Sequence, residues 1–503
     1  MAFVQNVPFF SIIISMFSGI ISSVLPEKAA RRLNSAVIIL VGIMSGWLLI
    51  YMMNTGGSYT FMMGHFPAPW GNEIRAGALE AGMALVFSAI MLLCMWGGRK
   101  KLMEEVEITK HNIYYILVDL LLSSLLALIY TNDLFTAYVF VEINTISACG
   151  LIMIRQNGRT IEAAVRYMIM SLLGSGLLLM GICMLYDLTG HLLMSNIKDS
   201  VAAIMSAGTY HIPLIITIGL MTVGLAIKSA LFPFHSWLPD AYGYSTVSSA
   251  AMLSSLVSKG YIFLLIKIFY RVIGFQTICA TKIINVLFVF GLCGMVFGSV
   301  SAIWEKDIRR MIAFSSVAQI GYIYMGFGLG TTVGMVASIY HILAHAATKS
   351  LLFVSAIGLT DVSGGSRKIS DLTGSGYRNK IAGVGFAVGS FSMVGIPMFA
   401  GFITKYLFAE AAVMHPSHKM LPTLIVLGVS TILNAIYFLK TFINIYVPAK
   451  AGEVKKKGYC KFTIRQQKLY TVTIILFIIL NLILGLCSQS ILRVITVGLN
   501  NFA

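Results

Sequence analysis

The chain has 503 residues, 58% of them hydrophobic and only 11% charged, with a mean hydropathy of +0.86, whereas soluble domains carry about a quarter charged residues. That composition excludes a soluble enzyme. The net charge of +17 invites a nucleic-acid reading, but the placement of the positive residues assigns it to membrane topology instead.

Apolar runs long enough to cross a bilayer lie near 7–25, 35–53, 77–97, 112–130, 132–154, 163–187, 212–234, 246–270, 283–304, 308–328, 332–358, 381–412, 421–446 and 470–492. They predict an all-α polytopic membrane protein of about fourteen transmembrane helices. The longest polar connections, near 54–76, 188–211, 359–380 and 447–469, leave little room for a separate soluble domain. No basic n-region or small-residue cleavage site precedes the first run, so it reads as a retained helix. The seven cysteines form no CxxC or Cys/His cluster, which points to neither a metal site nor a disulfide framework. Most read as small apolar fillers.

Span four carries Asp119 and span five carries Glu142 within an otherwise apolar run. Intramembrane acids are expensive and mark relay or pathway positions by default. Glu142 is the natural partner for a buried lysine, because each favours the other's charged form. Asp119 fits either a relay or a hydrogen-bonded helix contact. Span seven reads Gly224-Leu-Ala-Ile-Lys228-Ser-Ala-Leu-Phe-Pro233-Phe-His235-Ser-Trp-Leu-Pro239-Asp240. Proline removes a helical hydrogen bond and clashes with the preceding turn, so this helix should break near Pro233. Such breaks persist at membrane depth only beside protein or a watery cavity, which places Lys228 next to a polar site.

Span eight holds Lys259 and, near its end, Lys267. A lysine at a helix centre costs about 2.5–3.5 kcal/mol on insertion scales, so Lys228, Lys259, Lys349 and Lys405 read as functional. Lys267, Lys440 and Arg493 lie near helix ends and are expected to snorkel to the interface. The glycines in Gly326-Phe-Gly328-Leu-Gly330 follow a membrane helix and no strand, so they read as an inter-helix turn, not a nucleotide fingerprint. Span eleven places His341, His345 and Lys349 at i, i+4 and i+8, along one helix face. Titratable groups in such a row suit proton transfer. Zinc is the competing reading of the two histidines, but the sequence supplies neither a His-Glu-x-x-His pattern nor a third ligand nearby. Span twelve repeats the broken-helix theme in Gly395-Ile-Pro397-Met-Phe-Ala-Gly401-Phe-Ile-Thr-Lys405. Two interrupted spans, each with a lysine, are the pattern of a transporter built from two inverted halves.

Of the 36 Lys/Arg, 24 fall in every second connection, and five (Arg75, Lys198, Arg271, Lys282 and Lys419) fall in the alternate ones. Short cytoplasmic loops hold the positive excess, so the alternation predicts both termini outside. The basic charges then orient helices and touch anionic lipid, and no nucleic-acid partner is expected.

Four stretches resemble the proton-translocating antiporter family, the large membrane subunits shared by respiratory complex I, Mrp-type Na⁺/H⁺ antiporters and membrane-bound energy-converting hydrogenases. Lys228-Ser-Ala-Leu-Phe-Pro-Phe-His-Ser-Trp-Leu-Pro-Asp-Ala241 is similar to the family's Lys…Phe-Pro-x-His-x-Trp-Leu-Pro-Asp-Ala. Lys306-Asp-Ile-Arg-Arg through Gly321-Tyr322 is similar to its Lys-Asp-x-Lys-Arg…Gly-Tyr. His341…His345-Ala-Ala-Thr-Lys349 and Gly395-x-Pro…Gly401-Phe-x-x-Lys405 complete the set. The resemblance implies a coupled pair in Glu142 and Lys228, a central lysine in Lys259, bridging histidines in His341 and His345, and an exit lysine in Lys405. Lys349 joins the same row, with His235, Asp240 and Asp119 as possible accessories.

It also implies inverted five-helix repeats, with 1–111 as an N-terminal three-helix unit, 112–272 as the first repeat, 273–446 as the second, and 447–503 as a basic loop with the last helix. Where many relatives continue after Trp-Leu-Pro-Asp-Ala with a proline-rich segment, this chain has Tyr244-Ser-Thr-Val-Ser-Ser249, which predicts a less distorted start to span eight. Phe66-Pro-Ala-Pro-Trp-Gly-Asn-Glu-Ile-Arg75 resembles the loop common in hydrogenase relatives and in the D-type subunits of Mrp antiporters.

The leading expectation is an ion-translocating subunit in a prokaryotic cytoplasmic membrane, working beside other antiporter-like and small membrane subunits. It would carry no cofactor of its own, with Fe–S clusters on a cytoplasmic hydrogenase or other electron-transfer arm. A stand-alone Mrp-type antiporter and a transport-silent scaffold are the alternatives. The ion expected to move is the proton, or sodium in exchange for protons.

Overall fold

The computed structural model describes residues 2–63, 66, 71–414, 417–448, 459–463 and 467–502. Among the described residues, thirteen continuous helices are long and apolar enough to cross a membrane. Spans one to six are Val7–Val24, Glu27–Thr55, Ala78–Glu105, Ile108–Tyr130, Leu134–Met153 and Gly158–Thr189. Spans seven to eleven are His211–Lys228, Val247–Val272, Ile283–Trp304, Ile308–Gly328 and Thr332–Asp361, and spans thirteen and fourteen are Met420–Tyr446 and Lys468–Leu486. Span twelve is two half-helices, Lys380–Val394 and Ala400–Met414, so fourteen crossings are present in the expected order.

Side-chain caps fix many of the starts. The Asp133 carboxylate accepts from the Thr136 amide at the head of span five, Asn157 and Thr160 form a reciprocal capping box on span six, and Asp307, Thr331 and Asn379 cap spans ten, eleven and twelve. Each supplies an acceptor to amides that have no partner within the helix. Spans eight and eleven are buried along their whole apolar windows, so the centre of the molecule is formed by the two helices that bear Lys259, His341, His345 and Lys349. Small residues let neighbours close around them, as membrane helix packing requires. A Cβ at Gly224 would meet the Gly174 carbonyl oxygen at 2.5 Å, and one at Gly291 would meet the Met325 amide nitrogen at 2.5 Å.

Several expectations need correction. The helix of span seven ends at Lys228, five residues before Pro233, and a short helix Leu238–Tyr244 follows the irregular segment. Span eight is distorted despite its lack of proline, because Leu253–Val257 and Ile268–Val272 widen into π-helical turns. A widened turn realigns the side chains that follow it, and such bulges recur at functional sites. Span fourteen stops at Leu486, and 488–500 form a separate helix, Ser488–Asn500. Gly326 and Gly328 are not turn residues: they lie within span ten, where a Cβ at Gly328 would run into Phe288, and only Gly330 takes a left-handed turn conformation. Only Cys94 and Cys149 of the seven cysteines are buried, so the filler reading fits two of them.

The connection before span three holds a hairpin, with β1 (Tyr59–Met62) paired antiparallel to β2 (Glu73–Ala76). That before span seven holds the helix Met194–Ala207. Pro67–Trp70 of the resembling loop, and Lys450, Lys455, Lys456, Lys457 and Arg465 of the basic segment, lie outside the described residues.

Candidate functional site

The site is a buried polar row that starts on span five. Glu142 lies one helical turn before Thr145, on the same face. Lys228, the last residue of its half-helix, directs Nζ to within 3.8 Å of Glu142 Oε1 and donates to Thr145 Oγ1 at 2.7 Å. Its side chain is fully buried, whereas that of Glu142 is 25% exposed. A lysine at a helix C-terminus is favoured by the carbonyl ends of the helix dipole, which partly offsets its desolvation. The tight Gly174–Gly224 crossing leaves room for the lysine stem, since a Cβ at Gly174 would approach Lys228 Cγ at 3.0 Å.

From there the row enters span eight. Lys228 Nζ lies 5.3 Å from the Tyr261 ring centroid. Tyr261 is within 3.2 Å of Thr145 Oγ1 and donates to Asn144, which in turn donates to Ser124. Lys259, two residues before Tyr261, is wholly buried and donates to the Ser254 carbonyl and, at 3.1 Å, to Ser258 Oγ. The Ser254 carbonyl belongs to the widened turn, so the distortion of span eight supplies the lysine's acceptor. Lys259 is an electrostatic neighbour of His345 and Lys349 on span eleven. Lys349 donates to the Ile312 carbonyl at 2.9 Å and to Ser315 Oγ.

His341 and His345 stack with centroids 5.8 Å apart and an interplanar angle of 9°. Neither ring nitrogen of His345 has a hydrogen-bond partner among the described residues, and the His341 ring faces the Gln319 backbone without closing a well-formed hydrogen bond. Buried polar atoms rarely go unpartnered, and bridging water is the usual supply. A cavity of about 10 Å³ lined by His341, His345, Gln319, Thr348, Ser392 and Lys405 adjoins them, about the space one water needs. Lys405 folds back from the second half of span twelve and donates to the Val394 carbonyl, the last of the first half, at 2.6 Å.

The structure therefore brings Glu142, Lys228, Lys259, His341, His345, Lys349 and Lys405 into one continuous region. It leaves the accessories outside it. Asp119 accepts from Ser18 Oγ at 2.8 Å and Asn34 Nδ2 at 2.7 Å, a contact holding spans one, two and four together. Asp240 pairs with Arg166 at 2.7 Å and with Arg310 among the basic connections. His235 stacks on Phe232, which stacks on Phe297.

Lys267 does not snorkel: it is buried and donates to the carbonyls of Leu128, Ile129 and Thr131, closing the end of span four. The outward-facing reading holds for Lys440 and Arg493, which are exposed. Arg271 is likewise no loop residue: it is buried against Glu80, with its guanidinium 3.8 Å from the Phe502 ring centroid.

Sequence reasoning misses Thr145, Tyr261 and Asn144. Thr145 is discoverable, since it stands three residues after Glu142 on the same helix face. Tyr261 gives no signal within an apolar run. Glu80 is hidden because a single acid near a helix start reads as an interfacial residue. Among the described residues, no group of His, Cys, Asp and Glu is placed to hold a metal ion.

The family profile described as "NADH:quinone oxidoreductase/Mrp antiporter, TM" matches residues 131–433, which takes in spans five to twelve and the whole polar row. The chain belongs to the NADH:quinone oxidoreductase/Mrp antiporter family. It is an antiporter-like, multi-pass membrane protein. The N subunit of NADH-quinone oxidoreductase from Desulforudis audaxviator is 30% identical over 446 residues, 87% of this chain and 86% of the relative. The D subunit of the Na⁺/H⁺ antiporter from Alkalihalophilus pseudofirmus is 25% identical over 393 residues, covering 78% and 76% of the two chains. The fold matches a chain of the Mrp complex from Dietzia with a TM-score of 0.87 at 22% identity, covering 100% of this chain and 98% of that one. A chain of the membrane-bound sulfane sulfur reductase, an archaeal respiratory membrane complex, matches with a TM-score of 0.86 at 23% identity and the same coverage.

Proposed function

We propose that this protein moves protons along the row from Glu142 to Lys405, as one subunit of a multisubunit, redox-driven complex of a prokaryotic cytoplasmic membrane. The observation that carries this reading is where the row begins and ends. Glu142 shares its helix face with Phe135, Val139 and Ile146, which are 46%, 39% and 62% exposed. Lys405 stands between Phe402 and Tyr406, 37% and 56% exposed. Both ends thus reach apolar lateral surfaces of the molecule, where neighbouring membrane subunits would meet them, while the middle of the row is sealed.

The Glu142–Lys228 pair would sense charge on a neighbour. Opening of the pair would release Lys228 toward Tyr261 and Lys259, water beside His341 and His345 would pass the proton on, and Lys405 would deliver it. Spans four to eight and nine to thirteen would form inverted halves around this axis, with both termini outside and Fe–S clusters on partner chains.

A second reading, a D-type component of an Mrp-type Na⁺/H⁺ antiporter, is favoured by the antiporter relative. Gentle purification of the chain with its native partners, followed by iron quantitation and a visible spectrum, separates the two. Stoichiometric iron with reducible absorption supports the redox-driven complex, and an iron-free assembly supports the antiporter. Lys228→Ala and Lys405→Ala should each abolish proton movement in vesicles while the assembly persists. Full transport by either variant would leave the scaffold reading.

A further inference from the structure

Apart from the polar row, the ends of spans three, five, ten and eleven surround a cavity of about 550 Å³ on the face that gathers the Lys/Arg-rich connections. Its charged lining is Lys101, Glu105, Arg155, Arg159, Arg309 and Arg367. Lys101 pairs with Asp361 at 3.0 Å, and Arg367 pairs with Asp307 at 3.1 Å. Arg155 and Arg309 share one carboxylate, Glu105, at 3.7 and 3.8 Å. Arg159 faces the Tyr244 ring at 5.7 Å and has no carboxylate partner among the described residues. Lys101 also reaches Glu104 at 3.4 Å, so the five cations meet four carboxylates and one positive charge remains in surplus.

Arg309 is the least solvated of these cations, although it lines the cavity. The Arg309 side chain is only 3% exposed, and its Nε and Nη1 have no hydrogen-bond partner among the described residues. A buried guanidinium with unused donors is costly unless an oxygen-rich anion accepts from it. Planar forked donors match phosphate oxygens in particular. The start of span six adds to the same site. The capping box engages the amides of Asn157 and Thr160, so those of Gly158 and Arg159, both lining the cavity, are left for an anion at the positive end of a 32-residue helix. A Cβ at Gly158 would meet nothing within 4 Å, so the backbone there is open to a ligand.

We propose that this cavity is a binding site for a phosphate group, held by Arg309, Arg159 and the first amides of span six. The phosphate belongs either to the headgroup of an anionic phospholipid or to a free phosphate compound. The volume lies within the range of small-ligand pockets, about 300–1,000 Å³.

The test uses the full chain in its native assembly, reconstituted into phosphatidylcholine nanodiscs in phosphate-free buffer. Inorganic pyrophosphate binding is measured by calorimetry, and co-purified lipid is identified by native mass spectrometry. Arg159→Gln, an exposed position that should leave folding intact, is compared with Arg309→Gln. Saturable pyrophosphate binding, weakened about tenfold or more in both variants by loss of a charge-assisted contact, assigns a free phosphate compound. No pyrophosphate binding, with one anionic lipid per chain retained by the parent and lost from both variants, assigns the headgroup. If Arg159→Gln, and Arg309→Gln where it folds, match the parent in both measurements, the proposal is overturned.

Discussion

Replacing Glu142 with Gln removes a charge while preserving shape, and so isolates the electrostatic role of the pair. The carboxylate lies 3.8 Å from Lys228 Nζ. Two unit charges at that separation interact by about 4 kcal/mol at an effective dielectric constant near 20. Lys228 is fully buried, but Glu142 is a quarter exposed, so part of this is screened, and about 1.5–4 kcal/mol is the working range. If the pair gates proton release, that loss appears in the barrier, where each 1.36 kcal/mol is about tenfold in rate. Turnover should therefore fall between about tenfold and a thousandfold. The assay is proton uptake into vesicles carrying the native complex, followed with a pH-sensitive dye and normalised to assembled complex by size exclusion. Thr145→Val provides a comparison that leaves the ion pair: it deletes the hydrogen bond to the Lys228 ammonium, about 1.5–3 kcal/mol, together with the Tyr261 contact. Uptake by Glu142→Gln within threefold of the parent, in fully assembled complex, would refute the reasoning.

Asp119→Ala should strand the Ser18 and Asn34 donors, lowering the melting temperature at about 1–3 kcal/mol per orphaned group, with transport per assembled complex unchanged. Glu80→Gln should destabilise by about 3–5 kcal/mol, because it leaves Arg271 buried without its charged partner; yield and thermal unfolding in detergent measure it. Gly224→Ala would force its Cβ to 2.9 Å from the Leu178 amide nitrogen, and overpacking of about 1–3 kcal/mol should lower both stability and transport because Lys228 is on the same turn. Glu305, beyond the end of span nine, is pushed up by burial but held net below the usual carboxylate range by Arg310 and by the Asp307 and Lys306 amides. Its folded value is lowered, so its contribution is complete above the ordinary carboxylate value of about 4.3 and is lost as pH falls through the lowered one. Melting curves from pH 6 to 3 should show a smaller acid-side decline in Glu305→Gln than in the parent.

Hydropathy makes the crossings legible because a membrane helix must satisfy its backbone internally and cover its length with apolar side chains. Span nine, for example, reads as 283–304 in the sequence and runs Ile283–Trp304 in the fold. What escapes is local geometry set by neighbours. The widened turns of span eight have no proline to announce them, and the end of the span-seven helix at Lys228 depends on packing that no short window contains. Burial of Lys267 and Arg271 is equally invisible: both stand near a helix end, and only the arrangement of spans three and four around them turns an interfacial position into an interior one. The row itself is legible in part. His341, His345 and Lys349 announce one face by spacing alone, whereas the proximity of Glu142 to Lys228 joins two helices 86 positions apart in the chain.

The two helix breaks meet one electrostatic problem in different ways. A lysine within the membrane needs compensation that does not lock its proton in place, and a carboxylate in permanent contact would do that. Lys228 terminates the half-helix His211–Lys228, and Lys405 reaches back to the final carbonyl of Lys380–Val394. The Lys405 ammonium thus meets the negative end of a half-helix, the arrangement by which discontinuous membrane helices hold cations, whereas the Lys228 ammonium turns to Thr145 and Glu142. Carbonyl dipoles stabilise a charged lysine yet remain in place when it is neutral, so in the proposed mechanism the Lys405 end of the row would tolerate both protonation states. In the proposed mechanism the carboxylate that responds to a neighbour is Glu142, at the lateral surface. That division of labour would account for a row with a carboxylate at one end and only backbone at the other.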